Sequence, residues 1–364
     1  MGKGHKWAAA LLLLSLTAAP SSAAGGSPIQ IHVNGTAVKS LRLVSEPAGT
    51  QGIWSAAAKT VQINSGKQAP SEKAVKKPAI KKFGIRGVAI GDSEVSVVSK
   101  LGSPLRKDPS EYGFTWFIYH HNYRDYLQVG ISNGKVKALY TNNADIRSTS
   151  GIKIGTKKSV AEKQLGTPVT SFLRNNVKYM LNDGKEIGRF PMGQQYVTLF
   201  YDKYNQYKVT SVLLIEKATE ESFARFEKPS NVLLAEAYEK ESLDLINALR
   251  IRLGKLPFIG DSKIAGTARK HSQDMINNEY FDHTNPKGQS PFDRMEKDGI
   301  VYSSAAENIA AGQQSAIFAH EAWMNSEGHR KNLISDYKRL GVGVSFGGKM
   351  NIYYTQNFYS PIKS

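Results

Sequence analysis

The segment Trp323-Met-Asn-Ser-Glu-Gly-His-Arg-Lys-Asn332 is the most informative stretch of this sequence for its fold. A helix predicted from about Ser315 to Ser326 ends within it, and a histidine follows three residues later. Hydroxyl, carboxylate and imidazole groups therefore stand together just after a helix end. Ser326 and His329 are only one turn apart, but a Ser-His pair also needs a third group that orients the base.

The flanking chain predicts further helices upstream and strands downstream. A helix from about Leu233 to Leu253 carries an apolar stripe, and Gly254 ends it. Asp261 is the predicted N-cap of a second helix, whose one face is apolar apart from His271. Strands are predicted at 340–345 and 352–358. Helices flanking an antiparallel sheet give an α-β-α sandwich within an α+β protein.

Seven short motifs follow one another through the C-terminal third of the chain. In order they are Ala268-Arg-Lys-His-Ser-Gln-Asp-Met275, Phe281-Asp-His283, Ala306-Glu-Asn-Ile-Ala310, Trp323-Met-Asn-Ser326, Gly328-His-Arg-Lys-Asn332, Leu340-Gly-Val-Gly343 and Gln356-Asn-Phe358. Each is weak alone, but together and in this order they resemble a bacterial CAP domain (cysteine-rich secretory, antigen 5 and pathogenesis-related proteins). The resemblance covers roughly 233–359, and we place the domain at 230–364.

The resemblance implies a cleft with two histidines and two acidic residues. By motif, His283 and His329 match the histidines, and Glu307 matches the first acid. The second acidic position falls at Ser326, where many eukaryotic members have Glu, and Glu327 follows at once. Ser326 and Glu327 are therefore both candidates for the cleft.

Other polar residues of this region are expected to be structural. Those assigned such roles are His271, Trp323 and Asn308. His271 lies on the apolar face of its helix, which favours a hydrogen-bonded core histidine, and His320 is expected to face solvent. His320-Glu321 does not make a zinc-protease motif, because residue 324 is Met rather than the second histidine.

Two chemical interpretations of the cleft remain open. Neutral imidazoles at His283 and His329 can hold Zn²⁺ or another divalent cation, with Glu307 orienting a bound water. Alternatively, these side chains form a hydrogen-bonded network that holds loops together, with Glu307 fixing a histidine tautomer. The family resemblance implies a non-catalytic scaffold, and lipid, sterol and divalent-cation binding are known among its members.

We therefore expect a non-enzymatic, envelope-associated binding protein whose cleft takes a divalent cation or a small lipid-like ligand, and we assign no catalytic residue. One alternative is a metal-dependent hydrolase that uses His283, His329 and Glu307. Another is a structural protein of the wall or spore surface. The sequence contains no cysteine, which excludes a Cys nucleophile and thiolate metal ligands.

The N-terminus predicts export. A basic start at Lys3, His5 and Lys6 precedes an apolar run from Trp7 to Ala19, and small residues follow. This order is typical of a signal peptide, which we place at 1–24, and no later stretch is apolar enough to span a bilayer. We expect a secreted, extracellular protein that associates with the cell wall.

The positive charge of the chain lies before residue 230. The net charge is +17, yet residues 231–364 hold 16 basic and 15 acidic side chains. Residues 66–82 contain six lysines and two prolines, a composition that predicts an extended linker. We expect this basic region to contact an anionic wall polymer or membrane surface, with a merely solvated basic surface as the alternative. Nucleic acid is not expected, because no nucleic-acid motif accompanies the charge.

An internal repeat occupies the middle of the chain. Val88-Ala-Ile-Gly91 and Leu101-Gly-Ser-Pro104 recur 64 residues later as Ile152-Lys-Ile-Gly155 and Leu165-Gly-Thr-Pro168. The pattern predicts a short helix that ends at Gly102 or Gly166 and is followed by antiparallel strands. We place a duplicated α+β domain at 83–226, after a strand-rich segment at 25–65. It resembles the domain that often precedes CAP domains in Gram-positive bacteria.

Overall fold

The computed structural model describes residues 83–143, 146–148, 150–174, 177–181, 183–223 and 232–362, with four short strands before residue 65. Contacts divide the chain into two compact units: residues 1–79 with 171–181, and residues 80–170 with 182–364. The predicted signal peptide (1–24) and the Lys/Pro-rich linker (66–82) lie outside the described residues. Among the helices that are described, none is long and apolar enough to cross a membrane.

The secondary structure alternates strands with short helices until one long helix opens the C-terminal part. The strands of the described residues are β1 (Gln30–Val33), β2 (Thr36–Val38), β3 (Gln51–Ser55), β4 (Thr60–Asn64), β5 (Phe83–Ile85), β6 (Arg106–Pro109), β7 (Thr115–His121), β8 (Arg124–Ser132), β9 (Lys135–Thr141), β10 (Ile146–Ser148), β11 (Ser171–Arg174), β12 (Val177–Met180), β13 (Ile187–Met192), β14 (Gln195–Asp202), β15 (Lys208–Glu216), β16 (Ile259–Gly260), β17 (Ser304–Ala311), β18 (Arg339–Phe346) and β19 (Ile352–Ser360). The helices are α1 (Glu94–Leu101), α2 (Lys158–Leu165), α3 (Lys217–Ser222), α4 (Val232–Arg252), α5 (Ser262–Asn277), α6 (Pro291–Lys297), α7 (Ala316–Met324) and α8 (Glu327–Leu333).

The first unit consists of small β-structures. Its four N-terminal strands form one sheet in the order β2-β1-β4-β3, in which β1 pairs with β4 in parallel and the other neighbours are antiparallel. Strands β11 and β12 form an antiparallel hairpin.

The second unit begins with a seven-stranded sheet built from the two copies of the repeat. Its order is β13-β14-β15-β9-β8-β7-β6, and the copies meet where β9 pairs antiparallel with β15. Equivalent hydrogen bonds recur in each copy: Gly91 N donates to Val136 O at 2.9 Å, and Gly155 N donates to Val209 O at 2.8 Å. The sequence repeat is therefore a structural duplication.

The short helix of each copy ends at a glycine, which confirms the prediction. Gly102 has φ 80° and Gly166 has φ 93°, a region of backbone conformation that favours glycine because it lacks Cβ. Each glycine N–H also donates to a carbonyl four residues earlier, 2.9 Å away for Gly102 and 2.8 Å for Gly166. At the other end of α1, the Ser93 side chain accepts from Ser96 N and caps the helix.

The seven-stranded sheet buries both of its faces. Successive side chains of a strand point to opposite faces. In β15, Val212 and Leu214 join one core cluster together with Val97 of α1 and Ala161 of α2. Leu213 joins a second cluster, which also contains apolar side chains of α4, α7, β18 and β19. This sheet therefore packs against its own helices on one side and against the C-terminal part on the other.

The C-terminal part is a four-stranded sheet with helices on both faces. The strand order is β16-β18-β19-β17. Leu340, Val342 and Val344 of β18 pack in the cluster that contains α4 and α7. The intervening Gly341 and Gly343 face α5 so closely that a Cβ at either position would collide with its backbone. Asp261 caps α5 by accepting from two backbone N–H groups, as predicted. The α-β-α arrangement is confirmed.

Helix α4 lies between the two sheets. Two of its acidic side chains bind residues of the seven-stranded sheet, and we call this contact region the seam. Asp244 accepts from Arg106 of β6, with Nη2 and Oδ2 2.6 Å apart. Gln128 of β8 donates from Nε2 to Oε1 of Glu241 at 2.7 Å. Both acids are buried, and burial is the main cause that raises their pKa values, to about 6 for Asp244.

The expectation that His320 faces solvent is wrong. His320 lies on α7 and is only 2% exposed. The same helix is covered by the seven-stranded sheet, because Phe318 packs on Phe200 of β14 with ring centroids 5.2 Å apart. Burial, with a smaller contribution from the Arg252 cation, lowers the pKa of His320 to about 3, so this imidazole is neutral.

Candidate functional site

The three residues matched to the family cleft come from three separate elements. His283 lies in the loop after α5, Glu307 on β17 and His329 on α8. Helix α8 packs against β17, and His329 is near enough to His283 for the two rings to interact electrostatically. The helix predicted to reach Ser326 ends at Met324, and the separate helix α8 begins at Glu327.

Glu307 is the centre of the site. Its side chain is 1% exposed, and its Oε1 lies 2.9 Å from His283 Nδ1. Arg294 Nη2 donates to both carboxylate oxygens, at 3.1 Å to Oε1 and 2.8 Å to Oε2. A buried carboxylate needs such a partner, because an unpaired buried charge is very costly. The charge of Glu307 is thus neutralised by an arginine rather than left free.

Arg294 is a residue of the site that sequence reasoning missed. It lies on α6, which begins with a capping box between Ser290 and Asp293. Its Nη1 donates to the carbonyls of His283 at 2.8 Å and Gln289 at 2.9 Å. The run Ser290-Pro-Phe-Asp293 is a recognisable helix start, so the helix could have been predicted. Nothing in the sequence indicates that its arginine turns towards Glu307.

His271 lies behind Glu307 in the protein interior. It is fully buried, and its Nε2 is 3.1 Å from the Asp282 carbonyl and 3.8 Å from Glu307 Oε1. Its Nδ1 is 3.3 Å from the Tyr280 hydroxyl, which donates to Asp274 at 2.6 Å. Burial lowers the pKa of His271. The structure therefore places it in a hydrogen-bonded network.

His329 and Ser326 contact each other within one helical turn. His329 Nδ1 lies 2.8 Å from Ser326 Oγ. Burial, and then the nearby His283, lower the pKa of His329, so its imidazole is neutral at pH 7. The backbone around it is held by Asn308, whose Nδ2 donates to the His329 carbonyl at 3.2 Å. Trp323 donates from its indole to Ile309 O at 3.1 Å, which fastens α7 to β17.

Glu327 points to solvent instead. Its side chain is 72% exposed and accepts from Lys331 one turn along α8, with Nζ and Oε1 2.9 Å apart. That hydrogen bond lowers the pKa of Glu327. Of the two candidates for the second acidic position, Ser326 is the one in contact with a cleft histidine.

The cleft presents fewer free donor atoms than a catalytic zinc site uses. Nδ1 of His283 faces Glu307 and Nδ1 of His329 faces Ser326, which leaves one Nε2 on each ring. Catalytic zinc sites use three protein ligands, and the Glu307 oxygens are already bound by Arg294. Within the part of the chain that the structure describes, no group of three or more His, Asp or Glu side chains could hold a metal ion.

Comparison with family models identifies two matched segments. Residues 90–226 match the CAP-associated N-terminal family, and residues 243–358 match the cysteine-rich secretory protein family.

Two proteins of Bacillus subtilis are similar in sequence. The uncharacterized membrane protein YlbC is 35% identical over 293 residues, which are 74% of this chain and 82% of that protein. The uncharacterized protein YkwD is 44% identical over 131 residues, 36% of this chain and 49% of that protein.

Two solved structures share the fold. An extracellular protein containing an SCP domain from Bacillus anthracis has a TM-score of 0.66 and 25% identity, over 81% of this chain and 98% of that one. A cysteine-rich secretory protein from Staphylococcus aureus has a TM-score of 0.62 and 20% identity, over 74% and 91% of the two chains. These matches confirm the resemblance inferred from the seven motifs. The chain belongs to the bacterial CAP-domain proteins that carry a CAP-associated N-terminal domain.

Proposed function

We propose that this protein is exported and acts as a non-enzymatic binding protein of the cell envelope, with its ligand held at His283 and His329. The observation that carries the proposal is the state of Glu307, the cleft's buried carboxylate, which already accepts two hydrogen bonds from Arg294. A general base must reach the proton that it abstracts. A carboxylate that is 1% exposed and bound to an arginine is suited to supporting the loops, not to proton transfer.

The cleft offers two kinds of contact to a ligand. The free Nε2 atoms of His283 and His329 can bind a divalent cation or accept from a polar head group. Phe281 and Phe292 stand near His283 and Arg294 in the chain, and their side chains are 45% and 43% exposed. We infer that these exposed rings add apolar contacts of the kind that line pockets for small ligands.

The envelope is proposed as the location on the basis of charge and relatives. Residues 25–230 hold 30 basic and 16 acidic side chains, and the N-terminus resembles a signal peptide. The similar Bacillus anthracis protein is described as extracellular, and YlbC is described as a membrane protein. A positive surface is attracted to anionic polymers and membranes, and salt weakens that attraction.

The cleft is tested with Zn²⁺ as the probe. We expect calorimetry to detect weak binding to the full chain, and we expect His283→Ala and His329→Ala each to abolish it. Glu327→Gln is the matched control and should bind Zn²⁺ like the wild type, because Glu327 faces solvent. The same proteins are incubated with purified peptidoglycan and Zn²⁺. Release of fragments by the wild type but not by His283→Ala would show a hydrolase and overturn the proposal.

Retention at the envelope is tested with a linker of unchanged length that carries no positive charge. The six lysines between residues 66 and 82 are replaced by glutamine, and binding to purified cell walls is measured over a range of salt concentrations. We expect the variant to bind several-fold less at low salt and to lose much of the salt dependence. Equal retention of both proteins at every salt concentration would refute the role of the linker.

A further inference from the structure

A cavity of about 130 Å³ lies where the second copy of the repeat meets the CAP domain. The repeat contributes residues of β14, β15 and the turn between them, and the CAP domain contributes residues of α4, α7 and α8. One water needs only about 10–15 Å³ of such a cavity. The space is therefore large enough for a group of several non-hydrogen atoms.

The charged side chains at the cavity wall are mostly basic. Three cationic side chains line it, Arg252, Arg330 and Lys208, against a single acid, Asp202. Arg330 Nη2 donates to Asp202 Oδ2 at 2.8 Å, so the acid's charge is already balanced. Lys208 makes no ion pair with any residue that the structure describes. Two positive charges, on Arg252 and Lys208, are left at the wall.

Arg252 forms no ion pair with a carboxylate among the residues that the structure describes. Its Nη1 donates to the carbonyls of Asn142 and Thr210, which are neutral acceptors. Burial lowers the pKa of Arg252, and the attraction of Glu321 offsets this only in part. Glu321 Oε1 itself accepts a hydrogen bond from Ser211 Oγ at 2.5 Å, and burial raises the pKa of Glu321. A half-buried guanidinium in this state would be stabilised by an anion that approaches from the cavity.

We propose that this cavity binds a small oxyanion, a phosphate or a carboxylate group, between Arg252 and Lys208. A guanidinium fixed by two carbonyls presents its remaining N–H groups in one orientation, which suits the planar or tetrahedral oxygens of such a group. Lys208 adds a second, mobile charge at the same wall. Phosphodiesters of an envelope polymer and carboxylates of a peptide share this chemistry. The site is distinct from the His283–His329 cleft, and the proposal does not depend on what that cleft binds.

The test uses the full chain and inorganic phosphate as the probe. Thermal unfolding and calorimetry are followed as phosphate is added, with acetate as the carboxylate probe and sodium chloride at matched ionic strength as the reference. We expect phosphate, acetate or both to raise Tm in a saturable manner. Lys208→Gln should weaken the affinity about tenfold or more, the effect of losing one charge-assisted hydrogen bond.

Lys203→Gln is the matched control, because Lys203 lies in the turn before β15, is exposed and does not line the cavity. It should bind the probe like the wild type. A response to phosphate alone would identify a phosphate-type ligand, and an equal response to acetate would identify a carboxylate-type ligand. If chloride gives the same shift in Tm, or if Lys208→Gln binds both probes as tightly as the wild type, the proposal is overturned. Neither outcome bears on wall retention, which is measured with the linker variant.

Discussion

Replacing Arg294 by methionine tests whether the Glu307 carboxylate depends on its arginine. Methionine keeps much of the alkyl volume but removes the guanidinium, which donates two hydrogen bonds to Glu307 and two to backbone carbonyls. The two side chains are 9% and 1% exposed, so solvent cannot replace the lost contacts. Breaking a buried ion pair by removing one partner costs about 3–5 kcal/mol, and two lost charge-assisted hydrogen bonds give a similar range. This is a large fraction of the ~5–15 kcal/mol that stabilises a typical domain.

The assay is urea unfolding followed by tryptophan fluorescence at several pH values. The cost of Arg294→Met should be greatest at neutral pH and smaller in acid, because the buried carboxyl group can escape its unpaired charge by taking up a proton. The variant with both Arg294→Met and Glu307→Gln should be more stable at neutral pH than Arg294→Met alone, since it buries no unpaired charge.

Lys297→Met is the control, because Lys297 is an exposed residue of the same helix, and it should change the free energy of unfolding by no more than about 0.5 kcal/mol. The reasoning is refuted if Arg294→Met costs less than about 1 kcal/mol at pH 7. It is also refuted if the cost is the same at pH 5 and pH 8.

Two further predictions concern packing and buried acids. Gly343→Ala should lower the free energy of unfolding by about 1–3 kcal/mol or more, because its Cβ would collide with the α5 backbone. Gly266→Ala on α5 itself, where nothing is near, should raise it by about 0.5–1 kcal/mol in the same urea titration. Burial raises the pKa of Glu111 from 4.5 to about 7, so the folded protein keeps a proton that the unfolded chain has lost, and stability falls as pH rises between these values. Relative to the wild type, the free energy of unfolding of Glu111→Gln should therefore rise by up to roughly 3 kcal/mol between pH 4.5 and pH 8. If the free energies of both proteins change equally with pH, the assignment is contradicted.

Local signals in the sequence predicted the elements of this fold well. Asp261 was recognisable as an N-cap and Gly102 as a helix end, because each satisfies backbone groups within a few residues. The alternation of apolar residues and glycines along β18 was also visible in the sequence. The sequence could not show which helix packs against those glycines. Interactions between residues that are one or two turns apart can be recognised from the local sequence alone.

Contacts between distant segments could not be predicted in this way. His320 is expected to face solvent when the C-terminal part is considered alone, yet its helix packs on the seven-stranded sheet through Phe318 and Phe200. The neighbouring Glu321 accepts from Ser211 of the same sheet. Arg294 is 13 residues from Glu307 in the chain, and no periodic pattern joins the two.

For the second acidic position of the cleft, the sequence offered two neighbouring candidate residues. Ser326 and Glu327 are adjacent, and the direction of each side chain depends on where α7 ends and α8 begins. A boundary shifted by one residue would exchange their surroundings. The chemistry of a cleft position thus rests on a helix end, which sequence patterns locate only to within a few residues.

The seam around α4 has a consequence for how such proteins can change in evolution. One core cluster holds side chains of both family-matched segments, and Gln128 and Arg106 of the first segment bind Glu241 and Asp244 of α4. A recombination event that supplied a foreign first segment would leave those two acids buried beside mismatched partners. The segments are therefore expected to be inherited together, with substitutions on one side of the seam compensated on the other.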